Sequence, residues 1–126
     1  MNPLDKLVMF SMAVADMVKA KDFYANKLGF KITTEYRQDD NNWWVSLEFP
    51  GGGTSLTLTT AHENMKPGTL KLYLSTPDIH MAYRELTAKA VRLTSEISDD
   101  LYGPGSKIKW FSFDDPDGNH WIVFKP

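Results

Sequence analysis

The sequence contains no cysteine, which excludes disulfides, thiolate-bound zinc and thiol catalysis together. It also has no apolar run near the ~20 residues a helix needs to cross a bilayer. The start, Met1-Asn2-Pro3-Leu4-Asp5, lacks the basic-then-apolar order of a secretory leader, so a cytoplasmic setting is expected. A dominant charge is missing too: 14 basic and 16 acidic side chains give a net charge of -2, with the signs interspersed. Backbone binding to nucleic acid needs a concentrated basic surface. Neither nucleic acid nor membrane is therefore expected as a partner. What remains is an ordinary globular composition, 42% hydrophobic and 24% charged over 126 residues. A chain of this size buries roughly 65–70% of its unfolded surface and supports one core.

From Val8 the apolar residues alternate. Val8, Phe10, Met12 and Val14 would point to a core, with Met9, Ser11 and Ala13 on the opposite face. Asp16 stands where a helix N-cap accepts a backbone hydrogen bond, and Met17, Ala20, Phe23, Tyr24 and Leu28 recur at helical spacing up to Gly29, a C-cap glycine. Three strands follow, Phe30 to Arg37, Trp43 to Phe49 and Thr54 to Thr60, divided by a polar turn at Gln38–Asn42 and by Pro50-Gly51-Gly52-Gly53.

The same grammar then repeats. Val8, Phe10, Met12, Asp16, Ala20 and Tyr24 match Leu70, Leu72, Leu74, Asp78, Ala82 and Leu86 at one constant offset. Strands near Val91 to Ile97, Ile108 to Phe113 and Asn119 to Lys125 complete a second copy, with Asp115-Pro116-Asp117-Gly118-Asn119 as its last turn. The expected fold is α+β, a single domain over residues 1–126. Two tandem βαβββ modules, about 5–60 and 69–126, would form a curved mixed sheet around a cup. The stretch Leu101 to Gly105 would be a mobile lip over it.

Val14-Ala15-Asp16, Phe23-Tyr24 with Leu28-Gly29-Phe30, and the Asp115–Asn119 turn, in this order and around an internal repeat, resemble the vicinal oxygen chelate superfamily. That superfamily includes glyoxalases, extradiol dioxygenases and bleomycin resistance proteins. Each short motif has a structural account of its own as cap, core or hairpin, so they identify the fold rather than the reaction. In metal-dependent members the resemblance implies one ligand on the first and one on the last strand of each half, usually His or Glu. Those positions fall here on Met9, Thr57, Lys71 and Ile122. Imidazole and carboxylate donors are absent from all four, so no metal and no cofactor is expected. His62, in a loop, and His80, on a helix, are expected in structural or solvated roles, as is His120.

Alternation assigns the cup face Met9, Ser11, Trp44, Ser46, Glu48, Ser55, Thr57, Thr59, Lys71, Tyr73, Ser75, Trp110, Ser112, His120, Ile122 and Phe124. Of the adjacent pair Trp43 and Trp44, one belongs to the core and one to the cup. Aromatic faces with scattered hydroxyls suit a planar, partly polar ligand. Expected ligand contacts are Met9, Trp44, Glu48, Thr57, Lys71, Tyr73, Trp110, His120 and Ile122. The expected function is a metal-free small-molecule-binding protein, sequestering an aromatic compound or antibiotic. Two alternatives stay open. One is a lyase or isomerase of glyoxalase-like type with a non-standard site, using Glu48 and Lys71 as an acid–base pair or a metal rebuilt around His120. The other is a dimeric accessory domain without ligand. The resemblance also implies a homodimer.

Overall fold

The computed structural model of the chain describes residues 2–126. The chain divides into two compact units, one ending at Pro67 and one running from Gly68 to Pro126.

In the first unit, β1 (Met9–Ala13) leads through Asp16 into helix α1 (Met17–Lys21). The Asp16 carboxylate accepts from the Lys19 N–H at 3.1 Å, as an N-cap should. The helix widens into a π-helical turn over Asp22–Lys27, in which the Leu28 N–H reaches the Phe23 carbonyl. Gly29 follows at φ +78, a left-handed C-cap that lets the chain reverse into the sheet. Next come β2 (Lys31–Asp39), β3 (Asn42–Glu48) and β4 (Ser55–Thr59). The sheet order is β1-β4-β3-β2, with β1 parallel to β4 and the other pairs antiparallel.

Strand alternation separates two faces. Met12, Val45, Leu47, Leu56 and Leu58 are buried with Met17, Ala20, Phe23 and Tyr24 of the helical segment. Phe23 meets Tyr24 edge-on, and the Tyr24 hydroxyl donates to Met12 Sδ at 3.5 Å. Val8 departs from its expected core role and is 62% exposed. It precedes β1, and its carbonyl accepts from the Ser55 N–H, so its backbone is held while its side chain stays in solvent.

The second unit repeats the plan with β5 (Lys71–Ser75), α2 (Ile79–Ala88), β6 (Arg92–Leu93), β7 (Trp110–Asp114) and β8 (His120–Phe124), in sheet order β5-β8-β7-β6. Again the first and last strands are parallel. Asp78 caps α2 through the Met81 N–H at 3.0 Å. Phe111, Phe113, Trp121 and Val123 form the buried face, and Tyr83 of α2 meets Phe111 edge-on. The expected strand from Val91 to Ile97 shrinks to two residues, with one further bridge between Ser98 and Trp110. The stretch from Leu101 to Gly105 is tied down at its ends. The Asp100 carboxylate accepts from the Lys107 N–H at 2.7 Å, and the Leu101 N–H donates to the Ile108 carbonyl.

The Asp115–Asn119 turn is a closed hydrogen-bond network. The buried Asp115 carboxylate accepts from the N–H groups of Asp117 and Asn119 and from Asn119 Nδ2, while Asn119 Oδ1 accepts from the Leu70 N–H at 3.0 Å. This turn thereby fixes where β5 begins. Gly68 sits against it at φ +79, where an added Cβ would lie 2.1 Å from the Asp117 carbonyl oxygen.

Candidate functional site: the polar faces of the two sheets

The face of the first sheet opposite the helix is set by cross-strand register. Ser11, Thr57, Ser46 and Thr34 form one row, and Met9, Ser55 and Glu48 form the next. The central hydroxyls are buried but paired: Ser46 Oγ lies 2.7 Å from Thr57 Oγ1, and Thr57 Oγ1 lies 2.9 Å from Met9 Sδ. Beyond this patch Trp44 stacks on Tyr36, with centroids 5.8 Å apart and planes inclined by 28°. Trp43 points to the helix side, where it is 7% exposed and donates its indole N–H to Glu35 at 2.9 Å. The adjacent tryptophans therefore divide between core and polar face.

Glu35 also pairs with Lys21, while Arg37 lies over the Trp43 ring at 4.0 Å. The Lys21 hydrogen bond, the Trp43 indole and the nearby positive charges hold the Glu35 carboxyl below its ordinary value of 4.5. A groove of about 320 Å³ lined by Val18, Lys21, Ile32 and Trp43 opens on this helix side. It belongs to the opposite face from the residues singled out in the sequence.

On the second sheet, register places Lys71, Tyr73 and Ser75 of β5 beside His120, Ile122 and Phe124 of β8, and the latter beside Asp114, Ser112 and Trp110 of β7. Tyr73, 52% exposed, meets Phe124 edge-on at 6.4 Å. Lys71 Nζ lies 5.8 Å from the Tyr73 ring centroid. Ser112, buried at the centre, is paired with Thr94 and Ser95. His120 Nδ1 lies 2.9 Å from Asp114 Oδ1.

The sequence-expected residues thus fall into two groups, each on one face of one sheet: Met9, Trp44, Glu48 and Thr57, and Lys71, Tyr73, Trp110, His120 and Ile122. Glu48 and Lys71 are both exposed, so neither sits in the dry surroundings that the acid–base reading requires. Of the other histidines, His62 is bonded through Nε2 to the Val14 carbonyl at 2.8 Å and His80 lies exposed on α2. Two further residues of these faces carry little signal in the sequence: Tyr36 sits inside a Thr-rich strand, and Asp114 opens the Asp-Asp-Pro-Asp-Gly turn sequence.

The four positions where metal-dependent relatives would carry ligands do not fit a metal. The Met9 thioether faces the Thr57 hydroxyl, Lys71 brings an ammonium group, and Ile122 has no donor atom. Among the described residues no group of three or more His, Cys, Asp or Glu side chains is placed to hold a metal ion. No helix among them is long and apolar enough to cross a membrane.

Two unlike halves built on one topology, each pairing its first and last strands in parallel, define a duplicated βαβββ protein. Residues 6–123 match the glyoxalase/bleomycin resistance protein/dioxygenase superfamily, and the chain belongs to it. An uncharacterized protein of Shewanella frigidimarina (strain NCIMB 400) is 28% identical over 129 residues, covering 94% of this chain and 92% of its own. Among solved structures, TnmS3, an antibiotic binding protein from Streptomyces sp. CB03234, aligns with 100% of this chain and 99% of its own at 28% identity and TM-score 0.85. A superfamily member from Sphaerobacter thermophilus DSM 20745 aligns with 98% of each chain at 28% identity and TM-score 0.81.

Proposed function

We propose that this chain binds a small aromatic molecule without a metal and sequesters it, an antibiotic being the kind of compound it would take. The observation that carries this reading is the residue set Met9, Thr57, Lys71 and Ile122 at the ligand positions, which offers no donor set for a divalent ion. The Tyr36–Trp44 stack on one sheet, with Tyr73, Phe124 and Trp110 on the other, supplies π surfaces beside hydroxyls and single charges. Likeness to an antibiotic binding protein over the full chain supports the same conclusion. Binding would involve Met9, Trp44, Glu48 and Thr57 on the first sheet. On the second it would involve Lys71, Tyr73, Trp110, His120 and Ile122.

A thermal-shift screen against aromatic antibiotics and metabolites, run with and without EDTA, tests this reading. A ligand that prefers the native state raises the melting temperature, and the rise should survive the chelator. A rise that disappears with EDTA, or no rise across a broad panel, overturns it.

We infer further that the chain works as a homodimer. Leu4, Leu7 and Val8 leave an apolar stretch 62–81% exposed at the start of the described chain. Light scattering should give twice the 14.3 kDa chain mass. A monomer at micromolar concentration contradicts this.

A further inference from the structure

The second sheet carries a row of polar, ionisable side chains across one face: Lys71, His120, Asp114 and Arg92 are successive register partners on β5, β8, β7 and β6. Within that row only His120 and Asp114 are joined, through Nδ1 and Oδ1 at 2.9 Å. A carboxylate accepts and cannot donate, so this bond keeps the proton on Nδ1 and leaves a lone pair on Nε2 of the neutral ring. The ring makes no second hydrogen bond among the described residues. Its side chain is 39% exposed against 22% for Asp114, so the imidazole is the more accessible of the two.

Along β8 the same face continues through Ile122 to Phe124, each step of two residues advancing about 7 Å. Trp110 lies opposite Phe124. An acceptor therefore stands at one end of a strip, two such steps or about 14 Å long, that runs past the buried Ile122 to the half-buried aromatic pair Trp110 and Phe124.

We propose that His120 determines specificity by accepting a hydrogen bond at Nε2 from an acidic hydroxyl on a fused-ring aromatic ligand. Asp114 acts as the positioning residue that fixes the tautomer. The Lys71 ammonium, opposite His120 in register, attracts the same electron-rich oxygen. This deepens the metal-free binding reading and rests on it, because it names the ligand class that the second sheet would select.

Calorimetric titration of the whole protein with 2-naphthol and with 2-methoxynaphthalene separates the two ideas, since the ethers and phenols share rings and differ in the donor. The wild-type protein should bind 2-naphthol about tenfold more tightly, the worth of one well-placed hydrogen bond. His120→Phe, which keeps a flat ring and removes the acceptor, should bring the two affinities together. Asp114→Asn, which no longer fixes the proton on Nδ1, should reduce the preference at least about threefold while leaving 2-methoxynaphthalene binding unchanged. The Asn variant keeps the test decisive if the Phe variant misfolds. Equal wild-type affinities, or a preference unchanged in Asp114→Asn, overturn the role of His120 alone. Failure of both probes to bind removes the aromatic-strip reading of this face and the proposal with it.

Discussion

Trp43 and Trp44 are neighbours in sequence and lie on opposite faces of one strand, Trp43 under the helix with its indole on Glu35 and Trp44 stacked on Tyr36. Their replacement should separate stability from binding. Trp43→Ala empties a core site and should cost about 3–5 kcal/mol, read from chemical denaturation. Trp44→Ala should cost less than half of that yet weaken binding of any aromatic ligand found in the screen. Similar stability losses in both variants would contradict the division.

Glu35 predicts an acid-sensitive stability. Its folded-state value is lowered, chiefly by the Lys21 hydrogen bond and the Trp43 indole. Its contribution is therefore fully present above the unfolded value and is lost as pH falls through the folded one. Melting temperatures followed from pH 7 down to about pH 3 should fall less steeply for Glu35→Gln than for the wild type. At pH 7 the variant should already be the less stable protein. Identical slopes would show that the pair carries no linkage.

Gly68 and Gly52 share nearly the same backbone, φ +79 and +77, but only Gly68 has an atom in the path of a side chain. Alanine at either position meets left-handed strain of about 1–3 kcal/mol. Gly68→Ala must also displace the carbonyl of Asp117, a residue whose N–H is bonded to the Asp115 carboxylate within the turn. It should therefore be clearly the more destabilised in denaturant titration, and equal losses would remove the close approach from the account.

Strand alternation made the two polar faces legible in the sequence, because a period of two assigns every residue of a regular strand to one face. Met9 and Thr57 share one face of the first sheet and Lys71 and Ile122 one face of the second, as a period of two requires, and the caps at Asp16 and Asp78 are legible from residue type alone. Irregular backbone hid the rest. The register shift between Arg37 and Asp39 breaks the count from the β2–β3 turn, so the pairing of Tyr36 with Trp44 could not be read through it. Left-handed Asp100 and Lys107 bound a folded, hydrogen-bonded loop around the stretch expected as a mobile lip, Leu101 to Gly105. Asp114 and Asp115 look alike in sequence, and only the β7–β8 register shows that Asp114 stands beside His120 while Asp115 ties the turn.

If these faces take an aromatic ligand and no metal, as proposed, protein dialysed against iron, nickel, zinc and manganese salts should come through metal analysis essentially empty. The account predicts far less than one ion per chain for each metal, unchanged by His120→Ala. One tightly held ion per chain, lost in that variant, would contradict it.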